Sequence, residues 1–240
     1  MALLEARALQ VRFGDQIAVY DVDLEIEAGT VVGLIGPNGA GKTTTFNAIS
    51  GLQKCTGTVH LDGDDVSHAP PYTRARLGMN RTFQRLEVFG SMTAFDNIRT
   101  AAEIAAGGRG RRDAGEIAQR LLAHLGLADI AQSRADSLPT GQARLVELGR
   151  ALATEPKVML LDEPASGLDD FETTRLAEVL QDLADNGMAV LLVEHDMDLV
   201  MRVCSSIYVL NLGEVIAHGT PKQIRNDAAV RDAYLGSVVA

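Results

Sequence analysis

No apolar run in this sequence of 240 residues approaches the roughly 20 residues a membrane-spanning helix needs. The longest, such as Val190-Leu191-Leu192-Val193, are a handful of residues, so the chain is not expected to cross a membrane itself. Its start, Met1-Ala2-Leu3-Leu4-Glu5-Ala6-Arg7, lacks the basic segment and apolar stretch of a secretory signal and carries an early acid, which points to the cytosol. Cysteine is scarce. Cys55 and Cys204 are too few for a disulfide framework and are not spaced as a metal clip, in keeping with a reducing compartment, and both read as small core or surface hydrophobes. Positive charge is in deficit: 22 Lys plus Arg stand against 32 Asp plus Glu, a net charge of -10. Such a balance lacks the basic surface that a phosphate backbone demands, so nucleic acid is not an expected partner.

What is present describes a folded globular chain. Hydrophobic residues are 46% and charged residues 22%, near the averages for such proteins, and the length suits one domain or two closely joined ones. Residues 3 to 36 read as strands. Val22, Leu24 and Ile26 alternate with Asp23, Glu25 and Glu27, which predicts a half-exposed strand, and the run Val31 to Ile35 predicts a buried one. Lys42 to Ser50 is helical by length and stops at Gly51, and Thr56 to Gly63 reads as a strand entering a turn. From about Thr93 to Arg150 the period becomes helical, with Ile117, Leu121, Leu122 and Leu125 at helical spacing and a Gly-Gly-Arg-Gly break near residues 107 to 110. Strands return at Val158 to Leu161, Ala189 to Val193 and Ile207 to Leu210, separated by helical stretches around 171 to 185 and 196 to 203. Alternation of this kind implies parallel pairing, hence an α/β core interrupted by a helical insert. Arg109, Arg111 and Arg112 are the one notable charge run, read as a solvated loop or as a headgroup or partner contact.

Gly36-Pro37-Asn38-Gly39-Ala40-Gly41-Lys42-Thr43 follows the buried strand and opens a helix, the context in which this glycine pattern binds phosphate. Its glycines let backbone N–H groups curl around an anion, and the helix N-terminus adds a favourable dipole. Lys42 would reach β- and γ-phosphates, and the Thr43 hydroxyl suits magnesium, a hard cation that prefers oxygen. In Leu161-Asp162-Glu163-Pro164, two carboxylates follow an apolar run at the edge where ligands bind in open α/β sheets. Alone this is a solvated turn; with a phosphate loop upstream, Asp162 reads as the magnesium partner and Glu163 as the acid that polarises water. A third strand ends in Glu194-His195-Asp196, where His195 is either structural or positioned to meet the γ-phosphate or the attacking water. The remaining histidines, His60, His68, His124 and His218, receive no role. Gln84 sits where core gives way to insert, an ordinary polar residue or one that reaches metal or water. Leu138-Pro139-Thr140-Gly141-Gln142 precedes a helix with Leu145, Leu148 and Leu152 on one face, which is a capped helix or a second anion site.

Taken together and in order, the phosphate loop, Gln84, the Gly141-Gln142 helix start, Asp162-Glu163, Ser166-Gly167-Leu168-Asp169 and His195 resemble the ATP-binding cassette ATPases over essentially the whole chain. The resemblance implies an ATPase with ATP and Mg²⁺, its core of mixed or parallel sheet carrying an N-terminal antiparallel β subdomain and an inserted helical one. By that resemblance the core is 1–86 with 155–220, the helical signature subdomain 87–154 and a helical tail 221–240. It also implies that Phe13 stacks on adenine, that Gly36 to Lys42 with Thr43 and Thr44 hold the phosphates, and that Thr43, Gln84 and Asp162 hold the metal. Lys42, Gln84, Glu163 and His195 become the catalytic set, and Thr140, Gly141 and Gln142 the signature that completes the site of a second cassette, with Asp169 contacting that partner. The signature departs from the family's Leu-Ser-Gly-Gly-Gln form, since Pro139 offers neither hydroxyl nor N–H. Glu194-His195-Asp196-Met197 and the tail His218-Gly219-Thr220-Pro221 with Tyr234-Leu235-Gly236 are similar to ATPases of branched-chain amino acid importers, and the tail also to those of lipopolysaccharide export. Partners implied are transmembrane permeases, a second identical or different cassette and, indirectly, a substrate-binding protein, all meeting at the cytoplasmic face of the membrane. A non-transport cassette protein usually carries two cassettes or a long coiled coil, both missing here, and a small-molecule kinase or GTPase leaves Leu138 to Gln142 without a purpose.

Overall fold

A computed structural model describes residues 2–107 and 111–236; Arg109 and the side chains of Arg111 and Arg112, the basic cluster of the sequence, lie outside what is described. The chain opens with a long antiparallel hairpin, β1 (Ala2–Phe13) and β2 (Gln16–Glu27). In β2, Val22, Leu24 and Ile26 are buried while Asp23, Glu25 and Glu27 are exposed, the half-buried alternation expected of an antiparallel surface strand. Next come β3 (Val31–Ile35), buried at every position, α1 (Lys42–Ile49), β4 (Thr56–Leu61) and β5 (Asp64–Asp65). The hairpin, β4 and β5 make a four-stranded sheet in the order β2-β1-β4-β5.

The short α2 (Pro71–Arg76) and β6 (Met79–Arg81) lead into the helical stretch α3 (Ala94–Ala105), α4 (Arg111–His124) and α5 (Thr140–Leu152). These helices bury one shared face. Ile98 and Ala102 of α3, Ala118 and Leu122 of α4 and Leu145, Leu148 and Leu152 of α5 fall in a single apolar cluster. Gly149 is what allows the close approach, since a Cβ there would lie 2.6 Å from Cδ1 of Ile98 and 2.9 Å from Cδ1 of Leu125.

The chain then alternates: β7 (Val158–Asp162), α6 (Asp170–Asp185), β8 (Ala189–Val193), α7 (Met197–Val203), β9 (Ser206–Asn211) and β10 (Glu214–Gly219), closing with α8 (Pro221–Asn226) and α9 (Ala228–Gly236). The second sheet has six strands in the order β10-β9-β3-β8-β7-β6. Within it β9, β3, β8, β7 and β6 run parallel, and β10 pairs antiparallel on the edge. Because β3, β8 and β7 are covered on both faces, they are apolar throughout instead of alternating. One core lies between this sheet and the helices α3 to α7; a second joins its other face to α1 and the antiparallel sheet. Parallel pairing has the consequence that matters for function: the segments leaving β3, β6, β7 and β8 emerge at one edge.

Candidate active site

The turn between β3 and α1 is built so that only glycine fits at its ends. A Cβ on Gly36 (φ +152°) would stand 2.1 Å from the Leu210 carbonyl oxygen, and one on Gly41 (φ +103°) 2.8 Å from that of Ala18. Gly39 (φ +79°) has open space on its side-chain face, toward a cavity of about 370 Å³. No side chain caps α1, whose first turn also lacks an acid, so its amides and dipole face this cavity uncompensated. The Lys42 ammonium donates to the carbonyls of Gly36 (2.7 Å) and Pro37 (3.0 Å), closing the loop on itself. Burial lowers its pKa, against the opposing pull of Glu163 and Asp162. Asn38 to Thr44 line the cavity together with Gln84, Glu163 and His195, and Ile17, Ala18 and Leu212, beside Gln16, form its apolar end.

Asp162 is the last residue of β7 and is 2% exposed. Its amide donates to Oγ1 of Thr82 at 3.3 Å. Oδ2 lies 3.9 Å from Nη2 of Arg81, while Oδ1 is buried without a hydrogen-bond partner. Burial raises its pKa, with Arg81 pulling the other way. Glu163, the next residue, takes the left-handed backbone conformation (φ 52°), which turns its side chain out of the strand direction and toward the cavity. Its amide donates to the Val193 carbonyl (2.8 Å), and its carboxylate is held between two partners, Nε2 of His195 at 2.9 Å from Oε1 and Nε2 of Gln84 donating to Oε2 at 3.5 Å.

Two features of this arrangement have no signal in the motifs. Glu194 is buried and accepts from the amides of Ala165 (2.7 Å), His195 (2.9 Å) and Asp196 (3.3 Å), tying the segment after β7 to the one after β8; burial raises its pKa against those amides. The segment from Gln84 to Glu87 is gripped by one face of α5: Arg144 donates to the Gln84 carbonyl (2.9 Å), Glu147 accepts from the Glu87 amide (3.3 Å) and Arg150 donates to the Glu87 carbonyl. A spacing of three along a helix places all of them on one side, a pattern visible in the sequence only once α5 and Gln84 are known to touch.

Not every expected site residue lines the cavity. Phe13 is 53% exposed and stands across the hairpin from Gln16, which does line it. Thr140, Gly141 and Gln142 begin α5 on a different surface, with Pro139 at the N-cap supplying no side-chain bond. Asp169 caps α6 in a reciprocal pair with Glu172, and a Cβ on Gly141 would lie 2.4 Å from Oε2 of that same Glu172. Gln142 and Asp169 thus border a second hollow, away from the phosphate loop.

The residues fit a magnesium ion. The orphaned Oδ1 of Asp162 is a buried anion acceptor with no donor, and the Thr43 and Gln84 side chains, both oxygen-bearing, face the adjoining cavity. Among the described residues no three His, Cys, Asp or Glu cluster as a metal cage.

With the phosphate loop, the paired acids and the helical insert joined on one parallel sheet, the chain belongs to the ABC transporter family, whose model matches residues 19–166. A model described as the branched-chain amino acid ATP-binding cassette transporter matches residues 214–240. The chain is 40% identical to the high-affinity branched-chain amino acid transport ATP-binding protein BraF of Pseudomonas aeruginosa, over 98% of both chains, and equally to LivG of Escherichia coli K12. It is 36% identical to the lipopolysaccharide export system ATP-binding protein LptB of Escherichia coli K12, again over 98% of both. Its structure resembles a nucleotide-free ATP-binding cassette from an ABC transporter, with a TM-score of 0.87 and 28% identity over 98% of this chain and 99% of that one.

Proposed function

We propose that this chain is the ATP-binding and ATP-hydrolysing subunit of a transporter that imports branched-chain amino acids, or related amino acids and amides, through partner permeases at the cytoplasmic face of the membrane. The observation that carries the reading is the meeting, at one sheet edge, of an anion-ready glycine loop, a buried acid with a free oxygen and a second acid held between Gln84 and His195. Import is preferred to lipopolysaccharide export because the tail from residue 214 matches the branched-chain amino acid model.

In this reading Lys42 exchanges its two loop carbonyls for β- and γ-phosphate oxygens, while the amides from Gly39 to Thr44 cradle the phosphates. Phe13 meets the adenine across the apolar end of the cavity. Thr43, Gln84 and Asp162 would hold Mg²⁺, which when bound would neutralise phosphate charge and polarise the γ-phosphorus. The Glu163 carboxylate accepts a hydrogen bond from the attacking water and so polarises it, and His195 holds the carboxylate in place and faces the γ-phosphate side. Because Thr140, Gly141, Gln142 and Asp169 lie on another surface, a second cassette, identical or different, is needed to bring such a signature over this cavity. Thr140 and the Gly141 amide then act where Pro139 cannot. Residues 87–154 act as the signature-bearing helical subdomain on a core of 1–86 and 155–220, with 221–240 as a tail. The exposed rings of Tyr72 and Phe83 and the side chain of Leu52 line a groove beside the Gln84 segment, suited to a short permease helix. Gripped by α5, the Gln84 segment then links that groove, the cavity and the signature helix.

The test is gentle purification of the tagged full chain from its native membranes, with identification of what accompanies it by mass spectrometry. Multi-span permeases, a second cassette and an amino-acid-binding protein are expected. Recovery of lipid-export components moves the chain to the second reading, and ribosomal proteins without any membrane protein overturn transport.

A further inference from the structure

We infer that Arg81 is a positioning residue that fixes the Asp162 carboxylate against the helix of the phosphate loop, so that one oxygen is held and the other is left for the metal. The inference rests on the reading of Asp162 as the magnesium carboxylate. Arg81 ends β6, beside β7 in the parallel sheet, and its side chain is 11% exposed. Two nitrogens of the guanidinium are hydrogen-bonded and the third is ion-paired. Nη2 lies 3.9 Å from Oδ2 of Asp162; Nη1 donates to Oδ1 of Asn47 (2.7 Å) and Oγ of Ser50 (3.0 Å); and Nε donates to the Thr82 carbonyl (3.1 Å). The plane is covered on its faces by Phe46, 4.9 Å from the ring centroid, and Phe83, at 4.5 Å.

Asn47 and Phe46 belong to α1, and Ser50 caps its C-terminal end; the same helix presents Lys42 and Thr43 at its start. A rigid planar fork that is hydrogen-bonded to α1 and its C-cap and ion-paired with Asp162 therefore sets the distance between the Thr43 and Asp162 halves of the metal's ligand set. It also makes the two Asp162 oxygens unequal. Oδ2 faces a cation, and Oδ1 is buried without a hydrogen-bond partner, which leaves it as the oxygen open to a metal. A purely space-filling role would be served as well by an apolar side chain between two phenyl rings, without the cost of desolvating a charge. Partners behind a metal's ligands commonly control affinity by holding the ligand's orientation, and their loss costs about 10- to 100-fold in metal affinity.

The experiment measures binding of a fluorescent ATP analogue to the full chain, first in EDTA and then across a Mg²⁺ titration, for wild type, Arg81→Gln, Arg81→Lys, Asn47→Ala and Asp162→Asn. Arg81→Gln is expected to bind the analogue in EDTA as wild type does, yet to need roughly 10- to 100-fold more Mg²⁺ for the metal-dependent gain. Arg81→Lys, which keeps the charge and loses the fork, is expected between the two. Asn47→Ala removes one of the groups holding Arg81 and is expected to shift the Mg²⁺ midpoint in the same direction. A wild-type Mg²⁺ midpoint in Arg81→Gln overturns the assignment; should that variant not fold, the same result in Asn47→Ala does so. If Asp162→Asn keeps the full metal-dependent gain, it is the underlying reading of Asp162 that fails.

Discussion

Nε2 of His195 lies 2.9 Å from Oε1 of Glu163, and this contact joins the ends of two neighbouring parallel strands through the groups assigned to water activation. Glu163 reaches the position with a left-handed backbone that costs a residue with a Cβ on the order of 1–3 kcal/mol. The cost is offset locally: its amide is bonded to Val193, and buried Glu194 ties the segments after β7 and β8 together. Strain held in this way presets the carboxylate toward the cavity before any substrate arrives.

Glu163→Gln is expected to lower ATP turnover by about 10²- to 10⁴-fold, the range a positioned base supplies, while leaving ATP binding intact. Phosphate release and fluorescent nucleotide binding, measured on the same preparation, check it. Turnover near wild type would remove Glu163 from the chemistry.

His195→Ala leaves the Glu163 carboxylate with Gln84 as its remaining side-chain partner at 3.5 Å. Turnover is expected to fall by roughly 10²-fold through lost orientation, with nucleotide affinity little changed. Steady-state kinetics with a direct binding measurement separates this from the opposite pattern, lost affinity with preserved turnover, which would make His195 a ligand for nucleotide alone.

Gly36→Ala should be poorly tolerated, since the added methyl would sit 2.1 Å from a backbone oxygen that cannot rotate away. We expect a destabilisation of about 1–3 kcal/mol together with loss of nucleotide binding, because relief requires moving the loop or β9. Urea unfolding and nucleotide titration read the two effects; unchanged values in both would contradict the loop geometry.

Burial pushes the Cys204 thiol from 9.0 up to about 12. Below pH 9 both folded and unfolded chains keep the proton and the group contributes no pH dependence. Between pH 9 and about 12 the unfolded chain releases it first, so this group lowers stability as pH rises, by about 1.4 kcal/mol per unit. Comparing the slope of unfolding free energy between pH 8 and 10.5 for wild type and Cys204→Ala tests the sign, since the variant should show the shallower fall. Equal slopes would mean that the thiol ionises freely in the folded state.

Much of the fold is legible in residue patterns because local rules and burial agree there. Val31 to Ile35, Val158 to Leu161 and Ala189 to Val193 are apolar without interruption since both of their faces are covered, and each is a central parallel strand. The helical insert follows from the spacing of Leu122, Leu125, Leu145, Leu148 and Leu152, all buried. By contrast β6 has no pattern to read. It is three residues, Met79-Asn80-Arg81, made a strand by pairing with β7, and β10 is a half-buried edge strand whose Glu214 and His218 break any run. Pairing partners far away in sequence decide both.

The same division holds for the site. The glycines and lysine of the loop are readable locally because they act within one turn, and Asp162, Glu163 and His195 fall at strand ends because apolar runs stop there. Strand neighbours are set by the folded chain, and with them that His195 meets Glu163, that Gln84 reaches the same carboxylate, and that Phe13 and the start of α5 lie outside the cavity lining. It alone made Arg81 a clasp between α1 and Asp162, and Glu194 a tie between two loops. The physical reason is range: hydrogen bonds within a turn are specified by adjacent residues, whereas a contact across 29 or 81 positions exists only after burial of the sheet has chosen the order of its strands.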